Sequence, residues 1–170
     1  FDRIVEFAHR VVGGSMAIVS LLDRDRQWFK ARLGVSLTAT PREVAFCRYT
    51  IRQEGVLVVN DAREDPRFAD NPLVTGPPGL RFYAGAPIHA PDGQPIGTVC
   101  VLDTVPRRLG SAGMLMMRLL ADLAEDAVRL HAARREASEA SALTSRQSET
   151  LHLKSRQLAQ AEELAHLGIF

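Results

Sequence analysis

Two cysteines, Cys47 and Cys100, are the residues of this sequence best suited to nucleophilic chemistry. A reactive cysteine needs a nearby base or positive charge, because the thiolate rather than the thiol is the nucleophile. Neither cysteine has a histidine beside it in the sequence, and Arg48 directly follows Cys47. The sequence therefore favours buried structural cysteines, and it leaves open a thiol-based redox sensor that uses Cys47.

The other reactive residue types form no pattern that predicts catalysis. The five histidines lack the spacing of metal ligands, and the chain contains no glycine-rich phosphate-binding motif. Asp61, Asp65 and Asp70 could act as general acids or bases, but they lie in a turn-rich segment where carboxylates commonly bond to the backbone. We therefore expect neither enzyme activity nor a metal site in this chain, and the sequence specifies no cofactor.

The composition is that of a soluble globular protein, and the low cysteine count favours the cytoplasm. Hydrophobic residues make up 46% of the 170 residues and charged residues 24%, with a formal net charge of +1. This near-neutral balance argues against nucleic acid as a partner, and the sequence lacks both a signal peptide and an apolar run long enough for membrane insertion. Two cysteines are too few for a disulfide framework. The chain opens inside an amphipathic pattern without an initiator Met, which suggests a fragment of a longer protein.

Periodicity and turn signals predict seven elements that must position these side chains. One of them is a short helix that starts at residue 40; Thr40 is expected to cap it and Gly55 to end it. The elements are a helix over 1–12, a hairpin over 16–33, a short helix from 40, a strand over 56–61, a helical turn at 65–71, a hairpin over 81–103 and a helix from Gly110 to the end.

The last helix carries an apolar residue at nearly every seventh position, as in a coiled coil. This seam consists of Leu123, Leu130, Ala137, Thr144, Leu151 and Leu158. Since the second seam position is mostly polar or small, we expect a homodimer whose coiled coil is weak in its middle. The alternative is a single solvated helix held by charge pairs between successive turns.

Five segments resemble the GAF domain of bacterial signalling proteins, of the sensor histidine kinase or diguanylate cyclase type. They are IVSLLDRDRQWFKARLGV, TPREVAFCRYTI, LVVNDAREDPRFADNPLV, LRFYAGAPI and GQPIGTVCVLDTVPRRL. The resemblance implies an α+β fold with a central antiparallel sheet of about six strands flanked by helices. It divides the chain into a sensory domain over 1–111 and a coiled-coil linker over 112–160, and AEELAHLGIF at 161–170 resembles the start of a PAS domain.

A ligand in such a domain would lie between the sheet and the helix and loop set against it. The candidate wall residues combine apolar area with a few polar groups. They are Phe46, Cys47, Tyr49, Thr50, Phe68, Phe82, Ala84, Ala86 and Cys100. The small residues at 84–86 would lower the sheet surface and allow a helix or a bound molecule to approach.

The resulting prediction is a sensory module that binds a small molecule and relays the signal through a dimeric helix to an output domain. Two other functions remain open. One is a ligand-free structural module that dimerises and spaces the output domain, and the other is the Cys47 redox sensor.

Overall fold

A six-stranded antiparallel sheet forms the centre of the molecule, in the strand order β3-β2-β1-β6-β5-β4. The computed structural model describes residues 1–168, without the side chains of residues 163–167. The strands are β1 (Met16–Leu22), β2 (Arg26–Leu33), β3 (Ala39–Pro41), β4 (Leu57–Val59), β5 (Phe82–His89) and β6 (Pro95–Asp103). The helices are α1 (Asp2–Val12), α2 (Cys47–Thr50), α3 (Pro72–Thr75) and α4 (Ser111–Leu167). The predicted α+β fold, with its long C-terminal helix, is confirmed.

Helix α1 and the first part of α4, up to Val128, cover one face of the sheet. Val5 and Ala8 of α1 lie three residues apart, so they share the face that is buried against the strands. From α4, Met117, Leu120 and Ala124 join the same packed cluster. Burying each large apolar side chain contributes about 1.5–3 kcal/mol, so the first turns of α4 are an integral part of this unit.

Strands β5 and β6 form the hairpin at the centre of the molecule. Asp92 and Gly93 occupy its turn, where Gly93 has a φ of 82° that glycine adopts without steric cost. Because side chains alternate along a strand, each strand contributes to the cores on both faces. Val99 and Val101 lie in the helix-side cluster, whereas Cys100 lies in the cluster on the opposite face.

Two predicted elements differ from the structure, and a third is followed by a further short helix. Thr40 lies in β3 opposite Gln27 instead of capping a helix, because the chain first pairs with the edge of β2. The helical turn expected at 65–71 is present, because the amides of Phe68 and Ala69 both donate to the Asp65 carbonyl. It is followed by α3, where Asn71 accepts a hydrogen bond from the Leu73 amide and Pro72 takes the first helical position. Strand β4 is shorter than 56–61, since the Asn60 carbonyl accepts a hydrogen bond from the Arg107 amide.

The chain divides into two compact units, residues 1–129 and residues 130–170. The first unit extends past the boundary predicted at residue 111, because the α4 residues named above pack against the sheet. The PAS start predicted at 161–170 reaches outside the described residues and stays a prediction. Within residues 1–168, no helix has the length and apolar character needed to cross a membrane.

Candidate functional site

A cavity of about 70 Å³ lies between the sheet and the segments that cover its second face. Strands β1, β2, β5 and β6 form its floor, and residues around α2 and α3 form its cover. The floor residues are Met16, Ile18, Gln27, Phe29, Tyr83, Cys100 and Leu102, and the cover residues are Val35, Leu37, Thr40, Ala45, Phe46, Cys47, Leu73, Pro78 and Leu80. Leu37 and Pro78 are exposed, so the lining reaches from the core to the surface.

Three of the predicted wall residues line this cavity: Phe46, Cys47 and Cys100. Phe46 immediately precedes α2, and Cys47 is the first residue of that helix. Cys100 lies in the middle of β6, opposite Ile18 of β1 and Gly85 of β5. The fold therefore brings together two cysteines that are 53 residues apart in the sequence.

Three further predicted residues lie behind the cavity wall and support it. Phe68 stacks on Phe46 with ring centroids 4.0 Å apart, and Tyr49 meets Phe68 edge to face at 5.0 Å. Such aromatic pairs contribute about 0.5–1.5 kcal/mol beyond their buried area. The Thr50 hydroxyl forms a 2.6 Å hydrogen bond with the hydroxyl of Tyr83, which anchors α2 to β5.

The other three predicted residues, Phe82, Ala84 and Ala86, lie on the opposite face of the sheet. They belong to the cluster packed with α1 and α4 and do not line the cavity. The expectation that they share a pocket with Phe46 is therefore corrected. The reason is strand alternation: Tyr83 faces the cavity, so its neighbours in β5 must face the helices.

The polar groups at the base of the cavity converge on the sulfur of Cys47. Thr98 Oγ1 lies 3.0 Å from Cys47 Sγ, Gln27 Nε2 3.1 Å and Tyr83 OH 3.4 Å. Ser20 Oγ lies 3.6 Å away and forms a 3.0 Å hydrogen bond with Thr98 Oγ1. We call these residues together with Cys47 and Cys100 the thiol cluster; all of them are buried.

This environment separates the acidities of the two thiols. Burial alone raises the pKa of Cys47, but hydrogen bonds with Cys100, Thr98, Tyr83 and Ser20 outweigh burial and lower it overall. The pKa of Cys100 is raised well above its usual range, first by its hydrogen bond with Cys47 and then by burial. Burial also raises the pKa of Tyr83, which keeps its hydroxyl protonated and able to donate. Cys47 is therefore the more acidic sulfur.

Sequence reasoning did not select the four residues that surround the cysteines in the thiol cluster. Thr98 lies two residues before Cys100 and therefore shares its face of β6. Ser20 pairs directly with Thr98 across β1 and β6. The strand alternation predicted for the 81–103 hairpin could have identified Thr98 and Tyr83, but Ser20 and Gln27 depend on strand pairing that the sequence does not specify.

One ion pair and one histidine–glutamate hydrogen bond connect the sheet to α4 and to the segment before it. Asp103, the last residue of β6, accepts hydrogen bonds from Arg107 Nε at 2.6 Å and Ser15 Oγ at 3.1 Å. At the end of β5, Glu125 Oε1 lies 2.7 Å from His89 Nδ1 and accepts a hydrogen bond from the His89 amide at 2.9 Å. Both pairs are partly buried and fix the position of α4 against the strands.

The predicted dimer-seam residues are all exposed on α4 in the single chain. Leu123, Leu130, Leu151 and Leu158 are large exposed apolar side chains, and Ala137 and Thr144 between them are exposed as well. Their exposure leaves them available to a second chain, and the dimer itself stays a prediction. Within the described residues, no group of three or more His, Cys, Asp or Glu side chains is placed to hold a metal ion.

The architecture is therefore an α+β domain with a central antiparallel sheet, helices on one face and a loop-covered cavity on the other. The family model for the GAF domain matches residues 1–128, and the chain belongs to this family.

The chain is also similar to individual proteins and structures. It is 46% identical over 107 residues to a cyclic di-GMP phosphodiesterase of Pseudomonas aeruginosa; the match covers 63% of this chain and 18% of that protein. The GAF domain of an Acinetobacter phosphoenolpyruvate-protein phosphotransferase has a TM-score of 0.63 at 15% identity, covering 79% of this chain and 83% of that one. A free methionine-R-sulfoxide reductase of Neisseria meningitidis, in complex with its substrate, has a TM-score of 0.63 at 19% identity, covering 80% and 78%. These structural likenesses establish the fold.

Proposed function

We propose that this chain is the sensory module of a cytoplasmic bacterial signalling protein and that a small molecule bound in its cavity is the signal. The observation that carries this proposal is the cavity itself, which lies between the sheet and the cover formed around α2. Ligand pockets are typically apolar with a few placed polar groups. Here Gln27, Thr40 and Tyr83 supply the polar groups among aliphatic and aromatic walls.

The lining favours a small, uncharged ligand. Among the described residues, the lining contains no Asp, Glu, Lys, Arg or His. A charged ligand would therefore enter an apolar site without an oppositely charged side chain, which is unfavourable. The volume of about 70 Å³ would hold several water-sized groups, since a single water needs about 10–15 Å³.

Strand β6 offers a route from this cavity to α4. Cys100 and Leu102 face the cavity, whereas Val99 and Val101 pack in the cluster that contains Met117 and Leu120 of α4. Suppose that the domain has two conformations that differ in the placement of β6 and of the part of α4 packed on it. A ligand that binds one conformation more tightly would then increase its population, to an extent set by the difference in affinity. We propose that a dimeric α4 carries this shift to an output domain.

The proposed output is cyclic di-GMP turnover. The support is the 46% identity to the Pseudomonas aeruginosa phosphodiesterase, of which this chain spans 18% of the length. The sensory role and the output are separable, because ligand binding can be measured on this chain alone.

The test is a thermal-shift screen with uncharged metabolites. A ligand at one hundred times its Kd stabilises the folded state by about 2.7 kcal/mol, which should raise Tm by several degrees. Val35→Phe fills part of the cavity wall and should weaken binding of any hit at least tenfold. Val105→Phe, the same change at an exposed position, should leave binding unaltered. Hits that bind both variants equally, or a screen without hits, would favour the structural module instead.

A further inference from the structure

The two cysteines of this chain form a buried pair that the proposed ligand function does not require. Cys47 Sγ and Cys100 Sγ lie 3.9 Å apart, and both thiols are free. One belongs to α2 in the cover and the other to β6 in the floor. Because the chain has two cysteines in total, any chemistry between them can be followed without interference from other thiols.

The surroundings of the pair make its two sulfurs chemically different. Gln27 Nε2 is an amide nitrogen, so in its contact with Cys47 Sγ it must be the donor. The hydroxyls of Thr98 and Tyr83 can donate to the same sulfur. A sulfur that accepts several hydrogen bonds is stabilised as a thiolate. Cys47 is therefore the sulfur placed to act as the nucleophile, and Cys100 lies beside it as its partner.

The cavity gives a small oxidant access to the pair. Both cysteines contribute to its lining, which extends outward to the exposed residues Leu37 and Pro78. A volume of about 70 Å³ exceeds the 10–15 Å³ or so needed by one water molecule. Hydrogen peroxide is two oxygen atoms long, so the cavity is large enough to hold it.

We propose that Cys47 and Cys100 are a peroxide-reactive thiol pair that closes to an intramolecular disulfide. The Cys47 thiolate attacks one oxygen of hydrogen peroxide, the O–O bond breaks, and the departing hydroxide takes up a proton to become water. Cys47 then carries a sulfenic acid. The Cys100 sulfur attacks the Cys47 sulfur, the S–O bond breaks, and hydroxide leaves as water with the Cys100 proton. Two thiols are oxidised to one disulfide, and one peroxide is reduced to two waters.

Disulfide formation would act on the elements that connect the cavity to α4. Closing the 3.9 Å gap to a covalent bond of about 2.0 Å draws α2 toward β6. Strand β6 packs against α4 through Val99 and Val101. The inference is independent of the proposed ligand, because it requires only peroxide and the two thiols.

The experiment exposes the folded chain to hydrogen peroxide at pH 6.5 and follows free thiols and intact mass. The wild type should lose both thiols and two hydrogen masses, and peptide mapping should join Cys47 to Cys100. Cys100→Ser should accumulate a sulfenic acid at Cys47 that dimedone traps. Cys47→Ser should react at least tenfold more slowly at its remaining thiol.

A second variant tests the mechanism while retaining both cysteines. Thr98→Val removes the donor at 3.0 Å from Cys47 Sγ and should slow disulfide formation several-fold. Thr150→Val, at an exposed threonine of α4 outside the predicted seam, should have no effect. Circular dichroism melts establish that each variant is folded. The proposal is overturned if the folded wild type keeps both thiols, if it forms disulfides only between chains, or if the two cysteine variants react at equal rates.

Discussion

At the residue scale, Gly85 determines where the Tyr83 ring can lie. A Cβ atom at position 85 would overlap the Tyr83 hydroxyl and ring carbon Cζ, so the absence of a side chain allows the ring to lie across the strand. The ring then reaches Thr50 at 2.6 Å and Cys47 at 3.4 Å. Gly85 therefore makes room for the Tyr83 ring in the thiol cluster, whereas Ala84 and Ala86 pack on the face covered by α1 and α4.

Replacing Gly85 by alanine should destabilise the domain. The fully buried Tyr83 must move, and overpacking of this kind costs about 1–3 kcal/mol. Gly110→Ala is the matched control, because an added Cβ there meets no atom within 4 Å; its effect should stay within about 0.5 kcal/mol. Urea unfolding of both variants measures the difference. Equal free energies of unfolding would show that the Tyr83 ring is not fixed by Gly85.

At the scale of elements, Asp103 joins the end of β6 to the segments on either side of it. Its carboxylate is buried and bonds to Ser15, before β1, and to Arg107, before α4. Burial alone raises the pKa of Asp103, but hydrogen bonds from Arg107 and Ser15 outweigh it and lower the pKa overall. The carboxylate therefore remains ionised and holds the connection between β6 and α4.

Asp103→Asn should weaken this junction in a pH-dependent way. The free energy of unfolding at pH 7 should fall by about 1.5 kcal/mol. This is the low end for a hydrogen bond to a charged group, because the Arg107 side chain is 42% exposed. A carboxyl pKa that is lower in the folded state contributes stability above the unfolded pKa of about 3.9 and loses it as pH falls through the folded pKa.

The difference in free energy of unfolding between wild type and Asp103→Asn should therefore be largest above pH 5 and decrease below pH 4. Asp126→Asn, with a 74% exposed side chain, is the control and should show little difference at any pH. Urea unfolding between pH 3 and pH 7 gives the comparison. A difference that stays constant over this range would contradict the role of the ionised carboxylate.

At the scale of the whole molecule, α4 carries a series of exposed leucines. Leu151 and Leu158 occupy the heptad seam, and both are exposed in the single chain. Exposed apolar residues repeated along one side of a helix favour association with another helix. These leucines support the proposal that two chains meet along their helices.

Leu151→Asp should weaken the proposed dimer, because it places a charge in the seam. We expect the dissociation constant to rise at least a hundredfold, which corresponds to about 2.7 kcal/mol. Leu153→Asp is the matched control: Leu153 is 61% exposed, comparable to 67% for Leu151, but lies outside the heptad positions. Sedimentation equilibrium over a range of concentrations measures both. A monomeric wild type, or equal weakening by both substitutions, would refute the seam.

Periodicity in the sequence was sufficient to predict α1, both hairpins and α4. Each of these is a local pattern: a 3.6-residue repeat in helices, alternation in strands, and Asp92-Gly93 in the turn. The quoted segments also carried the family resemblance, which the match over residues 1–128 confirms. Local patterns did not predict β3, since the edge pairing between Gln27 and Thr40 outweighs a sequence that resembles a helix start.

The composition of the site was decided by tertiary structure. The sequence identified both cysteines, but strand order and the covering loop brought Cys47 to 3.9 Å from Cys100 and surrounded it with donors from three strands. The same pairing placed Phe82, Ala84 and Ala86 on the face covered by α1 and α4. Neighbouring residues in the chain determine the helices and strands. Long-range packing determines which of these elements line the same cavity, and no single segment specifies that packing.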